Sequence, residues 1–164
     1  MAGVRFDFCD DNSIVEDMRK KFQGFVNQFD IISHEPSPLK DDDQVYVIRT
    51  GINGSSKTVG YAVLDIQERE GTIKLDEIFV EPEYRGNGVL TGLLRFMAKM
   101  AHEDFDGELR QVELGVHNLN GDAKAAYFAK GFQCRCDHKR CADRNKVDSE
   151  NVICPLSLEL CYGR

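Results

Sequence analysis

The chain has no stretch of eighteen consecutive apolar residues, and charged side chains interrupt its first thirty residues. The first absence argues against a membrane-spanning helix and the second against a secretory leader. Basic residues are in deficit, with 21 Lys and Arg against 28 Asp and Glu, so that the net charge is -7. This balance argues against nonspecific binding to nucleic acid and mildly favours cationic partners. We therefore expect a cytoplasmic protein that binds neither nucleic acid nor a membrane.

The chain has 164 residues, of which 41% are hydrophobic and 30% charged, and this is the size of one ordinary domain. A chain of this length buries about two thirds of its unfolded surface when it folds. The sequence contains no internal repeat and no linker of biased composition. We expect a single domain that spans residues 1–164.

Six cysteines are present, and without a secretory leader we expect their thiols to be reduced. Cys134, Cys136 and Cys141 crowd around His138 in the segment CRCDHKRC. These four side chains could bind zinc, but structural zinc sites usually take their ligands as two separated pairs with C-x2-4-C spacing. The alternative is a strand end followed by a charged loop that holds thiols by chance. We favour this alternative and predict no metal site.

Residues 14–29 predict an amphipathic helix, because seven apolar side chains recur at helical spacing: Ile14, Val15, Met18, Phe22, Phe25, Val26 and Phe29. Ser13 and Glu16 have the spacing of a capping box at its start. Residues 30–43 contain two prolines and an acidic triplet, and they predict an irregular surface connection.

Three strands are predicted to follow as an antiparallel meander, because QVYVIRT, TVGYAVLDI and TIKLDEIFV are rich in β-branched and aromatic residues and turn residues separate them. A helix is predicted from Val89 to about His102, then the strand RQVELGV, a short helix closed by Gly131, and a last strand VICPLSLELCY. The order is helix, three strands, helix, strand, helix and one or two further strands. This order predicts a mixed α+β fold.

The segment EPEYRGNGVLTG places an arginine and two glycines directly before the second helix. A helix N-terminus presents unpaired N–H groups to anions, and glycines let a ligand approach the backbone. Arg85 could bond a phosphate through two of its N–H groups. No Lys-Ser or Lys-Thr pair follows, as a nucleotide P-loop requires, and polar residues intervene between the strand and the glycines, unlike a dinucleotide fingerprint. Two interpretations remain, a pyrophosphate cradle and a tight turn with a surface arginine.

The segment IFVEPEYRGNGVLTGLL resembles the acyl-CoA-binding segment of the GNAT superfamily of N-acetyltransferases, whose pattern is [QR]-x-x-G-x-[GA]. Leu90 stands where the family usually has Gly or Ala, and the first five positions fit: Arg85, Gly86, Asn87, Gly88 and Val89. A second segment, LGVHNLNGDAKAAYFAKGF, is similar to another motif of the family, with five residues in register: Asn120, Ala123, Tyr127, Gly131 and Phe132. The resemblance implies an acyl-CoA N-acyltransferase fold. Such a fold has a mostly antiparallel sheet of about six to seven strands, about four helices, and a splayed pair of strands that forms the acetyl-CoA cleft.

The resemblance also implies how acetyl-CoA, as co-substrate, is bound. Its pyrophosphate would lie on Arg85, Gly86, Asn87, Gly88, Val89 and Leu90. Backbone groups of Phe79 and Val80 would pair with the pantetheine arm as an added strand does. The N–H group near Val80 would stabilise charge on the carbonyl oxygen. Asn120 would either hold the pantetheine or cap the short helix, which needs no ligand.

The chemistry implied is transfer of an acetyl group to a primary amine by direct attack, with Tyr127 as general acid towards the CoA thiolate. Glu77 is the favoured base and His117 its rival, whereas Asp76 should point to the other face of its strand. The acceptor would be a small cationic molecule or a protein amine. The alternative is a noncatalytic acyl-CoA binding or sensing module on the same fold. The last strand is apolar enough to serve either a core or a homodimer interface.

Overall fold

A computed structural model describes residues 3–28, 38–52, 55–117, 120–135 and 153–160. The described part contains seven strands, three α-helices and two short 3-10 helices, at Glu68–Glu70 and Pro82–Tyr84. The longer elements are, in chain order, β1 (Gly3–Phe8), α1 (Asn12–Gln28), β2 (Gln44–Ile52), β3 (Ser55–Gln67), β4 (Thr72–Val80), α2 (Val89–Asp104), β5 (Gln111–His117), α3 (Gly121–Ala129), β6 (Gln133–Cys134) and β7 (Ile153–Glu159).

The seven strands form one sheet in the order β1-β2-β3-β4-β5-β7-β6. Only the β4–β5 pair is parallel, and the other five pairs are antiparallel. The mixed α+β class and the mostly antiparallel sheet are therefore confirmed. The meander over β2, β3 and β4 is also confirmed. Three α-helices lie within the described residues, where the resemblance implied about four.

The two faces of the sheet bury different helices. Leu64 and Ala62 of β3 belong to the main core, which includes Leu93 and Met97 of α2. The alternate residues Tyr61 and Val63 pack with Val15 and Met18 of α1, and with Phe79. Successive strand residues point to opposite faces, so α1 covers one face while α2 and α3 cover the other. Each fully buried aliphatic side chain contributes about 1.5–3 kcal/mol relative to exposure.

Two details at the N-terminus differ from the sequence predictions. The strand β1 was not predicted, and it pairs with β2 along its whole length, from Gly3 opposite Gly51 to Phe8 opposite Tyr46. The capping box of Ser13 and Glu16 is wrong as well, because α1 begins earlier, at Asn12. The carboxylate of Asp11 accepts the Ser13 N–H at 2.9 Å and its hydroxyl at 2.6 Å. These bonds lower the pKa of Asp11 and make it the capping residue.

Candidate active site

The sheet opens between β4 and β5. These strands pair only from Thr72 opposite Gln111 to Leu75 opposite Leu114. Beyond that point β4 continues along β3 as far as Val80, while β5 continues along β7. The splayed pair of strands is therefore confirmed, and the gap begins directly after Leu75.

A β-bulge lies at the point where the strands part. On β3, Leu64 pairs with Leu75 and Val63 pairs with Glu77, so Asp76 is an extra residue in β4. A bulge bends its strand and increases the local twist, which carries the end of β4 away from β5. The bulge also interrupts the alternation of side chains. The prediction that only one of Asp76 and Glu77 faces the cleft is wrong, because both line it.

The alternation of backbone groups after the bulge decides which of them face the gap. The N–H of Glu81 donates to the carbonyl of Val59 on β3 at 2.8 Å. In an antiparallel pair the N–H and C=O groups of one residue point towards the partner strand, and those of the next residue point away from it. Since the backbone of Glu81 faces β3, the backbone groups of Val80 and Ile78 face the gap. The backbone of Phe79 faces β3, and its side chain is buried. The prediction that backbone groups of Phe79 pair with the pantetheine arm is therefore wrong. Ile78 was missed from the sequence, although it lies one strand period before Val80.

The glycines after β4 adopt the conformations that the motif requires. Gly86 has φ 75° and Gly88 has φ 80°, in the left-handed region that side chains disfavour. A Cβ atom at either position would meet nothing within 4 Å, so the backbone is open on that side. Gly88 is the N-cap of α2, and it provides no side-chain hydrogen bond to the first turn. The first N–H groups of α2 are thus available to an anion at the positive end of the helix dipole.

Arg85 is held at the end of the gap. Its Nε donates to the carbonyl oxygen of Val80 at 2.8 Å, and its guanidinium carbon lies 6.0 Å from the Phe79 ring centroid. Burial lowers the pKa of Arg85, but a guanidinium stays charged at any physiological pH. Asn87 fixes the turn by donating from Nδ2 to the carbonyl of Arg85 at 3.2 Å. Leu90 lines the cleft and also packs on the main core.

Tyr127 of α3 lies on the wall of the same cleft. It is 9% exposed, and its ring meets the ring of Phe132 edge-on at 5.5 Å between centroids. Burial raises the pKa of Tyr127 to about 12, so the hydroxyl keeps its proton at neutral pH. No group in the described part of the chain accepts a hydrogen bond from this hydroxyl, which leaves it able to donate to a ligand.

Asn120 lines the cleft as the N-cap of α3. Its Oδ1 accepts the N–H of Ala123 at 3.2 Å, which is the capping arrangement that the sequence left open. Cap formation occupies one lone pair of the amide oxygen, and the two N–H groups of the same amide remain as donors. A contact with a ligand is therefore compatible with the cap.

Glu77 is bound on both of its carboxylate oxygens. Arg19 of α1 donates from Nη2 to Oε2 at 2.6 Å, and Tyr61 donates its hydroxyl to Oε1 at 2.5 Å. The side chains of the ion pair are 14% and 16% exposed. Burial, and then the hydrogen bond to Glu77, raise the pKa of Tyr61, so this hydroxyl remains a donor. Sequence reasoning missed Arg19, although it lies four residues after Val15 on the buried stripe of α1.

The other candidates for the base occupy different surroundings. Asp76 is 36% exposed, and its Oδ2 lies 3.8 Å from Nζ of Lys40. Burial raises the pKa of Asp76, and Lys40 opposes that effect. His117 ends β5 at the far side of the gap, and its side chain lies outside the described part of the structure. The structure thus brings Glu77, Asp76 and Tyr127 to one cleft.

The described residues contain no group of three or more His, Cys, Asp or Glu side chains that could hold a metal ion. Cys134 is among them, but Cys136, His138 and Cys141 lie outside the described residues. The prediction about metal binding therefore stays a prediction. No helix in the described ranges has the length and apolar character needed to cross a bilayer.

A mostly antiparallel sheet that opens between two parallel strands, with a glycine turn and a helix start at the gap, defines an acyl-CoA N-acyltransferase fold. The family model described as Acetyltransferase (GNAT) family matches residues 12–132. The chain therefore belongs to the GNAT acetyltransferase family.

Solved structures of acetyltransferases share this fold. Nourseothricin acetyltransferase is 23% identical, with a TM-score of 0.56 over 76% of this chain and 69% of that chain. The IAA acetyltransferase from Bacillus cereus is 19% identical, with a TM-score of 0.58 over 96% of this chain and 100% of that chain. The ribosomal-protein-S18-alanine N-acetyltransferase from Escherichia coli is 14% identical, with a TM-score of 0.61 over 100% of this chain and 97% of that chain.

Proposed function

We propose that the protein transfers an acetyl group from acetyl-CoA to a primary amine by direct attack. The observation that carries the proposal is the gap between β4 and β5, which has protonated Tyr127 on its wall and the start of α2 at its end. Family membership supports acetyl transfer as the reaction class. We further propose that residues 1–164 form one domain in the cytoplasm.

The residues at the gap fit acetyl-CoA, which would supply an acetyl group activated as a thioester. Arg85 and the backbone N–H groups of Gly86, Asn87, Gly88, Val89 and Leu90 would hold its pyrophosphate. The positive φ angles of the two glycines and the open space beside them support this role. The backbone groups of Val80 and Ile78 that face the gap would pair with the amides of the pantetheine arm.

Tyr127 would act as the general acid. A thiol has an ordinary pKa of about 8.5, so a tyrosine whose pKa burial raises to about 12 holds its proton more strongly. At neutral pH the hydroxyl is protonated and can donate to the sulfur as negative charge develops there. The role needs a donor that does not ionise near neutral pH. A tyrosine meets this need at its ordinary pKa of about 10, and burial widens the margin.

Glu77 would accept the proton of the amine, directly or through water. Arg19 and Tyr61 fix its two oxygens, and each oxygen keeps a second lone pair for a further donor. This arrangement would orient the carboxylate towards the cleft without occupying it fully. His117 remains the rival base.

A second function, a noncatalytic acyl-CoA binding module, is favoured by one observation. The carboxylate of Glu77 already forms an ion pair with the Arg19 guanidinium at 2.6 Å. Such a pair can serve the stability of the fold as well as catalysis. In this second function the glycine turn would bind acyl-CoA for sensing, and Tyr127 would only pack against Phe132.

Calorimetric titration with acetyl-CoA tests the binding step, and release of free thiol in the presence of primary amines tests the transfer. We expect saturable binding that Gly88→Glu abolishes, because its side chain would enter the space beside the turn. Tyr127→Phe should keep the binding and lose most of the thiol release. Binding without thiol release for any class of amine would support the sensing module, and absence of binding would refute both functions.

A further inference from the structure

A row of polar side chains lies on the sheet face opposite the main core. Glu113 of β5 and Ser157 of β7 are paired residues, and they alternate with Leu114 and Leu156, which are buried in the main core. Glu113, Ser157 and Arg135 line the same continuous cleft as Glu77 and Tyr127. The row therefore borders the site without belonging to the acid, the base or the glycine turn.

Arg135 makes three hydrogen bonds in this row. Its Nε donates to Oγ of the buried Ser157 at 2.7 Å, and its Nη2 donates to Oε1 of Gln111 at 2.6 Å. Its backbone N–H donates to the carbonyl of Pro155 at 3.0 Å. The amide of Gln111 is itself fixed, because Nε2 donates to Oε1 of Glu113 at 2.5 Å. Two side-chain bonds and a backbone bond thus set the position of the guanidinium.

The partners of this guanidinium are neutral oxygens. Within the described part of the chain, no carboxylate lies within 4.0 Å of Arg135, and the arginine is exposed to the cleft. A guanidinium has five N–H groups, of which two are used here, so three remain. An arginine that is held by neutral groups keeps its full charge and its fork geometry for a carboxylate ligand.

We propose that Arg135 is a specificity-determining residue that binds a carboxylate group of the acceptor. This inference rests on the proposed function and names the class of acceptor: a primary amine that carries a carboxylate at a distance. Gln111, which holds Arg135, lies three residues before Leu114, the last residue of β5 that pairs with β4. At about 3.3 Å per residue, Nη2 of Arg135, which bonds Gln111, lies on the order of 10 Å from the start of the gap. An ω-amino acid or a short peptide spans this distance, whereas an α-amino acid acting through its α-amine does not.

The kinetic test uses three amines of similar length: 6-aminohexanoate, pentylamine and 1,6-diaminohexane. Loss of a charged hydrogen bond corresponds to about a 10- to 100-fold change, so 6-aminohexanoate should exceed pentylamine by this factor in kcat/KM. Arg135→Gln should remove the preference by raising KM for 6-aminohexanoate, with kcat for pentylamine unchanged. Ser157→Ala should weaken the preference partly. The control is Arg95→Gln, which removes an exposed positive charge from α2.

A binding test separates this inference from the proposed function, since it needs no turnover. The probe is 6-acetamidohexanoate, with N-pentylacetamide as its uncharged match. We expect the side-chain 15Nε resonance of Arg135 to shift saturably with the first compound and not with the second. Titration of acetyl-CoA by calorimetry reports independently on the donor site.

A resonance shift of Arg135 with 6-acetamidohexanoate, together with a carboxylate preference that Arg135→Gln removes, supports the inference. The inference is overturned if the resonance does not move, if the preference persists in Arg135→Gln, or if 1,6-diaminohexane is the best of the three acceptors. If the parent protein shows the resonance shift but does not bind acetyl-CoA, the result would count against the proposed function alone.

Discussion

Replacement of Glu77 by glutamine tests the proposed base with a nearly isosteric change. General-base catalysis contributes about 10²- to 10⁴-fold, so we expect kcat to fall by at least the lower factor at saturating amine. The measurement is thiol release at neutral pH. Asp76→Asn is the matched control, because it neutralises the neighbouring carboxylate in the same bulge.

The same substitution has a structural effect whose size follows from the burial. An amide has one acceptor oxygen, so the substituted side chain cannot offer a separate oxygen to each of Arg19 and Tyr61 as Glu77 does. Exposed ion pairs contribute about 0.2–1 kcal/mol and fully buried ones cost about 3–5 kcal/mol to break. With side chains 14% and 16% exposed, a coupling of about 2 kcal/mol is expected between positions 19 and 77.

A double-mutant cycle of Glu77→Gln and Arg19→Met in urea denaturation measures this coupling. The cycle separates the catalytic role of Glu77 from its structural role. Arg19→Met should lower the free energy of unfolding while leaving kcat within about tenfold of the parent. If Glu77→Gln keeps kcat within a factor of a few of the parent, the carboxylate is not the base. A large coupling would then assign Glu77 to the structure alone.

Three further predictions concern the backbone and the buried hydroxyl of Tyr127. Gly60→Ala should lower the free energy of unfolding by about 3 kcal/mol in urea denaturation, since its Cβ would clash with the carbonyl oxygen of Phe79. The control is Gly121→Ala, whose Cβ would meet nothing within 4 Å, and it should leave the free energy of unfolding unchanged or raise it slightly. Burial raises the pKa of Tyr127 to about 12. Because this folded-state pKa exceeds the unfolded value near 10, the contribution of Tyr127 to stability is complete below about pH 10 and is lost as the pH rises towards 12. The urea midpoint should therefore fall over this pH range, and Tyr127→Phe should reduce that fall. Gly88→Ala should weaken acetyl-CoA binding in calorimetry, since a side chain at φ 80° costs about 1–2 kcal/mol.

Sequence reasoning was most successful where a role depends on local chemistry. The open backbone at the glycine turn and the cap formed by Asn120, which was one of its two expected roles, follow from short motifs, because each is determined within a few residues. The contact of Arg19 with Glu77 spans 58 residues and depends on how α1 lies on the sheet. The bulge at Asp76 depends on the register of β3 against β4, which no single residue type encodes. Long-range pairing therefore determined these two features, which the sequence analysis missed.

Deletion of Asp76 would test whether the bulge opens the cleft. The residues on either side of it already pair with adjacent residues of β3, Leu75 with Leu64 and Glu77 with Val63. Removing the extra residue keeps both pairings and the faces of all other side chains, so the fold should survive. Without the bulge, β4 loses the bend that carries it away from β5.

The deletion variant should therefore retain the circular dichroism spectrum of the parent and unfold cooperatively in urea. It should bind acetyl-CoA at least about tenfold more weakly by calorimetry, which is a loss of about 1.4 kcal/mol in binding free energy. Asp76→Ala is the control, since it removes the carboxylate and keeps the extra residue, and it should bind acetyl-CoA as the parent does. Equal affinity in the deletion variant would mean that the divergence of β5 along β7 is sufficient to open the gap. Loss of affinity in Asp76→Ala would instead attribute the effect to the side chain, because the backbone path of β4 is the same in that variant.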